Sequence, residues 1–210
     1  MTAALPPALF VLSPGDLPRG QAGRFVQTVG RLTQAGLRGL LLREPLWPHG
    51  PYSELARVLS RVLAASGGRL WLHDAPHLVQ ATGASGVHLG FRSLRPAQVR
   101  PMLPDGASIG LSCHAGDPLP PPEVDYGFYG PVYDTASKRG LKEPVGVNGL
   151  RERLGQGGPP LWALGGIGPE QLAEVRASGA AGACVRGAIW SARRPERVWA
   201  AMLAQFESHG

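Results

Sequence analysis

Side chains that can bind an anion or transfer a proton stand directly after several short apolar runs of this sequence. His114 follows the run Ala107–Ser112, with only Cys113 between them. Histidine titrates near neutral pH and can both accept and return a proton. We therefore interpret His114 as a candidate general acid/base; a histidine with a satisfied hydrogen bond at the surface or in the core is the alternative. The other candidates that follow apolar runs are Arg43 and Glu44, His73 and Asp74, His88 with Arg92, Ser112, Tyr129 with Tyr133, Thr135, Lys138, Gly165 and Gly166, and Arg186.

A glycine-rich stretch towards the carboxyl end has the pattern of a phosphate site. Gly165-Gly166 and Arg186-Gly187 each follow a short apolar run and precede a segment with helical character. Helix N-termini present free backbone N–H groups and a positive partial charge, and both suit a phosphate. We therefore predict that Gly165, Gly166, Val185 and Arg186 bind phosphate; glycines that only form tight turns are the alternative.

Two further candidates bear on anion and metal binding. Lys138 lies in the polar loop Thr135–Gly140, where it can clamp an anion or stay solvated, and we expect the clamp. Asp74 is a lone carboxylate, and magnesium sites ordinarily combine one or two carboxylates with phosphate oxygens. No spacing of cysteines and histidines indicates zinc.

Eight short apolar runs alternate with longer segments that glycine or proline delimits. The clearest of these segments is Pro51–Ala65, where Leu55, Val58, Leu59 and Val62 recur at helical spacing. Gly116–Pro122 differs because it holds four prolines where a helix is due, and proline in a helix interior costs about 3 kcal/mol. The predicted strands are Ala8–Leu12, Gly39–Leu42, Leu70–Leu72, Gly86–Leu89, Ala107–Ser112, Tyr126–Tyr129, Leu161–Leu164 and Gly182–Val185. The other predicted helices are Arg24–Gln34, Ala75–Ala81, Leu94–Met102, Val147–Leu154, one opened by Gly168-Pro169-Glu170, one starting at Arg186-Gly187, and Glu196–Phe206.

This alternation predicts an α/β fold: a single (β/α)₈ TIM barrel over residues 1–210, with a proline-rich segment in place of the helix after strand 5. Strands that read as continuous apolar runs are typical of parallel sheets buried on both faces. An open doubly wound sheet is the alternative, although no G-x-G-x-x-G follows the first strand. In a barrel, the carboxyl ends of all strands meet at one face, where active sites are built. The candidate residues above would gather at that face.

Charge and composition exclude several classes of protein. The net charge is +6, but the basic residues are scattered, which disfavours nucleic-acid binding. No run approaches the roughly 18 apolar residues of a membrane helix, and no signal peptide is recognisable. Cys113 and Cys184 lie in apolar runs, which is typical of reduced core cysteines, and we expect a cytoplasmic protein. Apolar surface on Trp190 and Trp199 favours a homodimer.

Four motifs resemble the thiamine phosphate synthase superfamily. They are G-V-H-L-G at Gly86–Gly90, S-C-H at Ser112–His114, the stretch Asp125–Lys138, and A-L-G-G-I at Ala163–Ile167. Their order and spacing match along nearly the whole chain. The resemblance implies a single barrel and one of two activities. Synthases join a pyrimidine diphosphate to a thiazole phosphate with magnesium, and TenI-like tautomerases aromatise a carboxythiazole phosphate by metal-free proton transfer.

The synthase motifs are incomplete in this chain. Where the family has Q-x-R-x-K after strand 2, Leu41 and Pro45 flank the retained Arg43. Where it has N-D-R after strand 3, only Asp74 is retained, and Ser93 stands at the place of the second magnesium aspartate. The loss of a metal carboxylate and two diphosphate-binding groups predicts weaker stabilisation of a departing diphosphate.

The resemblance therefore favours the tautomerase branch, whose motif V-H-L-G-[FY]-R-S is similar to Val87–Ser93. It implies a phosphorylated thiazole as ligand, no cofactor and no metal; Asp74 would bind magnesium only in a synthase. Gly130-Pro131 is synthase-like, so a synthase remains an alternative, as does a non-catalytic binding or regulatory barrel. The residues implied are His114 as general acid/base, Arg43, Lys138, Thr135 and Tyr133 at the substrate, and Gly165, Gly166, Val185 and Arg186 at the phosphate.

Overall fold

Eight parallel strands close into a barrel in chain order, as the alternation predicts. The computed structural model describes residues 3–135 and 143–208, so Lys138 lies outside the described residues. The last strand pairs with the first, with Phe10 opposite Cys184. The strands are β1 Leu9–Leu12, β2 Gly39–Leu42, β3 Arg69–His73, β4 Gly86–Leu89, β5 Ser108–Cys113, β6 Tyr126–Tyr129, β7 Leu161–Leu164 and β8 Gly182–Val185.

Helices cover the outside of the barrel between most strands. The α-helices are α1 Ala22–Gln34, α2 His49–Ala64, α3 Val79–Thr82, α4 Pro96–Val99, α5 Gly146–Gly155, α6 Leu172–Ala177, α7 Gly187–Trp190 and α8 Pro195–Glu207. Four 3₁₀ turns accompany them: Arg19–Gln21, Pro76–Leu78, Arg100–Met102 and Pro169–Gln171. The predicted helix Leu94–Met102 is therefore divided, because Pro101 cannot donate the hydrogen bond that continues an α-helix.

The connection from β5 to β6 carries no helix, which confirms the prediction for the proline-rich segment. The space that a helix would fill is a groove of about 530 Å³, lined among others by Asp117, Tyr129, Glu152 and Arg153. Arg153 is buried; its Nη1 donates to Gln156 Oε1 at 3.3 Å, while Nε and Nη2 have no hydrogen-bond partner within the described chain. The groove thus lies between the chain that follows β5 and helix α5.

Two apolar layers share the strands because successive side chains of a strand point to opposite faces. One layer, between the sheet and the helices, includes Val11, Leu40 and Leu42. The other fills the barrel interior with large rings, and Phe10 meets Trp71 edge-on at a centroid distance of 5.0 Å. Its buried members are Phe10, Leu12, Leu41, Trp71, Tyr126, Phe128, Trp162 and Cys184. This packed interior confines any substrate to the rim of the barrel.

Helix α2 is rotated relative to the sequence prediction. Val58, placed on the apolar face by its spacing, is 42% exposed, while Leu55 and Leu59 are buried as predicted. The other buried residues of α2 are Tyr52, Ser53, Ala56 and Leu63. The prediction for Val58 is wrong because the buried stripe runs one residue further round the helix.

The two tryptophans that favoured a homodimer do not offer apolar surface. Trp199 is 1% exposed. Trp190 is half-buried, donates from Nε1 to the carbonyl of Leu12 at 2.7 Å, and packs against the Phe25 ring at 5.1 Å. Both rings attach helices to the barrel, so this basis for a homodimer is wrong and the dimer itself stays a prediction.

Two expectations from composition are met in the described chain. Cys113 and Cys184 are free and buried, as predicted for core cysteines. Among residues 3–135 and 143–208, no helix has the length and apolar character needed to cross a membrane.

Candidate active site

The end of β1 is fastened to the end of β2 beneath the rim. The buried Ser13 hydroxyl accepts a hydrogen bond from the Arg43 N–H at 2.8 Å and donates to the Arg43 carbonyl at 3.1 Å. The backbone of Arg43 is therefore fixed, and its side chain starts from a defined position. Ser13 was missed by the sequence reasoning, although it directly follows the first apolar run.

Glu44 supports the rim from within. Its carboxylate is 3% exposed and accepts from the N–H groups of Gly15 and Leu17, each at 2.9 Å. A buried carboxylate with two such bonds is satisfied by the backbone. Glu44 therefore holds the loop after β1 in place, and its charge is not directed at a ligand.

Arg43 and Arg186 reach the same point above the end of β1. A methyl group on Gly15 would lie 3.3 Å from Arg43 Nη1 and 3.9 Å from Arg186 Nη1. Neither guanidinium forms an ion pair with a carboxylate of the described residues. Two converging, unpaired guanidiniums form a strong site for phosphate or carboxylate. The pairing follows from barrel closure, because β2 and β8 both flank β1.

The predicted phosphate glycines have a second role. Gly165 and Gly166 have φ values of +101° and +65°. The chain at 131–134 packs against them, since the Tyr133 N–H donates to the Gly165 carbonyl at 3.1 Å and a methyl group on Gly166 would lie 2.7 Å from Tyr133 Cβ. This close approach explains both glycines without a ligand, so their phosphate role stays a prediction.

The start of α7 is the clearer anion donor. The helix begins at Gly187, directly after Val185 and Arg186. The first N–H groups of an α-helix ordinarily lack an intrahelical acceptor. Here the N–H groups of Ile189 and Trp190 donate to the Arg186 carbonyl at 3.1 and 3.2 Å, which leaves those of Gly187 and Ala188 for an anion. At the neighbouring turn, by contrast, the Gly168 N–H already donates to Gln171 Oε1 at 3.0 Å. The backbone beside Arg186 is therefore better placed for phosphate than that beyond Gly166.

His73 and Asp74 stand at the end of β3. Burial, reinforced by the positive charge of Arg43, lowers the pKa of His73 to about 4, so its imidazole is neutral at physiological pH. Asp74 is exposed and has a left-handed backbone with φ +53°, and its N–H donates to the His88 carbonyl at 3.0 Å. A non-glycine residue at positive φ is uncommon and is found more often at functional sites.

His88 faces the barrel interior, as predicted. Its ring is buried and stacks on Phe128 at a centroid distance of 4.3 Å. Nε2 lies 3.0 Å from Ser112 Oγ, and Nδ1 lies 3.4 Å from the Tyr126 hydroxyl. Burial holds the pKa of His88 well below its usual value. This imidazole is a neutral part of a polar chain below the rim.

His114 is engaged by its own loop. Both its backbone N–H and its Nδ1 lie close to Asp117 Oδ2, at 2.8 and 3.2 Å. Asp117 lines the outer groove beside α5. His114 therefore has an acidic partner that can orient its ring, but no contact joins it to Arg43 or His73. Its role as a general acid/base stays a prediction.

The two described substrate candidates after β6 differ in their surroundings. Tyr133 donates its hydroxyl to Glu174 Oε2 at 2.6 Å, and burial together with this carboxylate raises the Tyr133 pKa. The phenol is thus directed at α6. Thr135 is half-buried at the end of the described segment. Substrate contacts by Tyr133 and Thr135 stay predictions.

The donor set for a metal is small. Ser93, at the place of a second metal carboxylate, accepts from the Gly90 N–H at 2.8 Å and closes a turn. Within 3–135 and 143–208, no group of three or more His, Cys, Asp or Glu side chains is arranged to hold a metal ion. Asp74 could hold magnesium only together with substrate oxygens and water, so its role as a metal ligand stays a prediction.

Comparisons with known proteins identify relatives of this barrel. The model of the thiamine monophosphate synthase family matches residues 9–189. A putative thiamine-phosphate synthase of Geobacter sulfurreducens is 37% identical over 89% of this chain and 90% of its own. The thiamine-phosphate synthase of Laribacter hongkongensis is 33% identical over 80% of this chain and 82% of its own. The solved thiamine phosphate pyrophosphorylase of Pyrococcus furiosus has the same fold, with a TM-score of 0.80, 20% identity and 95% of both chains covered.

Proposed function

The chain belongs to the thiamine monophosphate synthase family, which places it in thiamine biosynthesis, and we propose that it joins a pyrimidine diphosphate to a thiazole phosphate. Several relatives that are at least 31% identical carry the name thiamine-phosphate synthase. The resemblance alone favoured a thiazole tautomerase. The geometry of the rim and the names of the relatives together favour the synthase.

The convergence of Arg43 with Arg186 carries this proposal. Departure of a diphosphate concentrates negative charge on its oxygens, and fixed guanidiniums stabilise that charge. Leu41 and Pro45 cannot provide such stabilisation, and their presence was a reason to favour a tautomerase. Arg186 restores a second cation from the opposite side of β1, within 3.9 Å of the point that Arg43 Nη1 also approaches. The rim thus retains the charge that a diphosphate needs.

Magnesium would be held by Asp74 and the diphosphate oxygens. When bound, the ion neutralises charge on the leaving group. The exposed carboxylate of Asp74 projects from the end of β3, beside the neutral His73. Neutral His73 adds no positive charge that would repel the ion, and Arg43 on the next strand remains available to the diphosphate.

The thiazole phosphate fits the start of α7. The N–H groups of Gly187 and Ala188 can donate to a phosphate monoester, and the positive helix end favours its negative charge. This position lies beside Arg186, so the two phosphorylated substrates would approach each other across the end of β8 and β1. Lys138 lies outside the described residues, and its role as an anion clamp stays a prediction.

A thiazole tautomerase is the second candidate function. It is favoured by Ser93, which replaces a metal carboxylate, and by the His114–Asp117 pair, because an imidazole with a carboxylate partner is suited to proton transfer. This reaction would move a proton from the ring carbon that bears the carboxylate to the exocyclic carbon, with no metal.

One set of assays separates the candidates. The purified protein is incubated with both synthase substrates and magnesium, and thiamine phosphate is quantified. We expect product formation, a large loss in Asp74→Asn, and little change in His114→Ala. Aromatisation of the carboxythiazole phosphate, followed by absorbance and lost in His114→Ala, would instead identify a tautomerase. Binding of a thiazole phosphate without either reaction would identify a non-catalytic barrel.

A further inference from the structure

We propose that Tyr126 fixes the tautomer of His88 and thereby makes Ser112 a hydrogen-bond donor to the ligand at the rim. Tyr126 and His88 are positioning residues in this scheme, and Ser112 is the group that contacts the ligand. The scheme rests on the proposed function only in that the rim binds a substrate. It holds for either reaction.

Three side chains form a polar column inside an otherwise apolar barrel. The Tyr126 hydroxyl lies 3.4 Å from His88 Nδ1, and His88 Nε2 lies 3.0 Å from Ser112 Oγ. Tyr126 and His88 are at most 1% exposed, and Ser112, nearest the rim, is half-buried. The column therefore runs from the core towards the substrate face.

The direction of the hydrogen bonds follows from burial. Burial raises the pKa of the Tyr126 phenol well above its usual value, so the phenol keeps its proton. Buried hydroxyl groups find acceptors, and among the described residues the acceptor within reach of this proton is His88 Nδ1, at 3.4 Å. Since a neutral imidazole carries one proton, Nδ1 as acceptor places that proton on Nε2. His88 then donates to Ser112 Oγ.

Ser112 is left with its own proton. Its oxygen already accepts from His88 Nε2, and no described residue accepts a hydrogen bond from its hydroxyl. Ser112 follows Gly110 by two positions on β5, so both face the interior, and Ser112 is nearer to the carboxyl end. The free O–H is therefore directed to the rim. It favours a ligand atom with a lone pair, such as a ring nitrogen or an anionic oxygen.

The barrel makes room for this column. A methyl group on Gly110 would lie 2.5 Å from His88 Nδ1 and would also overlap the Tyr126 ring. Stacking on Phe128 holds the imidazole plane. A glycine in the middle of a strand weakens that strand, so its presence here is explained by the two rings that lie over it.

Nitrogen NMR tests the tautomer in the wild-type protein, and a substitution is needed only to identify the His88 signals. In protein with ¹⁵N-labelled histidine, an unprotonated ring nitrogen resonates far downfield of a protonated one. His88→Gln identifies the His88 signals by their loss. We expect Nε2 to carry the proton from pH 6 to 8. A proton on Nδ1 would overturn the proposal whatever reaction the protein catalyses.

Ligand binding tests the consequence for Ser112. Affinity for each substrate half is measured by calorimetry in Ser112→Ala, Tyr126→Phe and the double variant. We expect Ser112→Ala to raise the Kd of one of the two substrates about 2- to 13-fold, the range of one neutral hydrogen bond. Tyr126→Phe frees the imidazole to take the Ser112 proton, so it should weaken the same half but have no further effect when Ser112 is already alanine.

Tyr129→Phe is the matched control. Tyr129 is also buried on β6, but it faces the outer groove, so the control should bind both halves like the wild type. If Tyr126→Phe raises the Kd equally in the wild-type and the Ser112→Ala backgrounds, Tyr126 has only a structural role and the proposed control of Ser112 is refuted. Binding with the expected coupling but without synthesis would refute the proposed function alone.

Discussion

Replacing Arg186 by methionine tests whether the two guanidiniums form one anion site. Methionine keeps an unbranched side chain but removes the charge. Arg43 Nη1 and Arg186 Nη1 lie 3.3 and 3.9 Å from the position that a Cβ atom on Gly15 would occupy. Both guanidiniums therefore extend beside this residue, and we expect a phosphate group bound next to it to contact both. The variant should therefore lose one of two charge-assisted contacts.

The size of the loss follows from that geometry. A hydrogen bond to a charged group contributes about 1.5–3 kcal/mol, which corresponds to a roughly 10- to 150-fold higher Kd. Folding should not suffer, since Arg186 is half-buried and forms no ion pair with a described carboxylate. Removing one of two like charges also relieves their repulsion.

The assay is calorimetric titration with inorganic diphosphate, which needs no turnover. Arg61→Met is the control, because it makes the same change in net charge on the exposed face of α2. We expect the control to bind within about twofold of wild type, since charges farther apart than a Debye length are screened. If Arg186→Met binds as tightly as the control, the two guanidiniums do not share a ligand and the synthase proposal loses its main support.

Three further predictions concern stability. Gly166→Ala should lower the free energy of unfolding by about 2 kcal/mol or more, because the left-handed backbone costs about 1–2 kcal/mol and the new methyl group overlaps Tyr133. Denaturant titration measures this loss. Gly187→Ala is the control and should show no comparable loss, since nothing lies within 4 Å of its added methyl group. Glu44→Ala should cost about 1–3 kcal/mol by leaving two N–H groups unpaired, whereas the exposed Glu54→Ala should cost little, and equal losses would contradict the role of Glu44. His73 has a pKa of about 4 in the folded protein, below its ordinary value near 6.5. Between these pH values the unfolded chain binds more protons than the folded protein. The free energy of unfolding therefore falls as the pH decreases from 6.5 to 4. That decrease should be smaller in His73→Asn by an amount on the order of 3 kcal/mol, and an identical pH dependence would contradict the neutral state of His73.

The sequence predicted the barrel well because its signals are local. Runs such as Gly39–Leu42 and Gly182–Val185 are bounded by glycine and apolar throughout, and the structure has strands with those limits. The prolines of Gly116–Pro122 likewise prevent a helix in their own segment, without any contribution from distant residues. Val58 was misplaced because the rotation of α2 depends on its packing against the sheet, which spacing alone does not determine.

The candidate site was harder to predict because it depends on contacts between distant residues. Arg43 and Arg186 were recognised separately, but their approach to Gly15 requires the closed order of strands. Glu44 looked like a ligand residue and instead satisfies two backbone N–H groups. His88 was correctly placed inside, yet its link to Tyr126 joins residues 38 positions apart, and no local pattern reports such a link.

The connection between β5 and β6 has no helix, and we expect the chain to accept new termini there. The segment from Asp117 to Pro122 is largely exposed, and Asp117 lines the groove at this wall of the barrel. Exposed segments with little buried backbone are the ones that accept new termini. A circular permutant that starts at Pro120, with the natural ends joined by a flexible linker, should therefore fold. The amides of β5 and β6 should exchange with deuterium sooner than those of β2 and β3, which α2 covers.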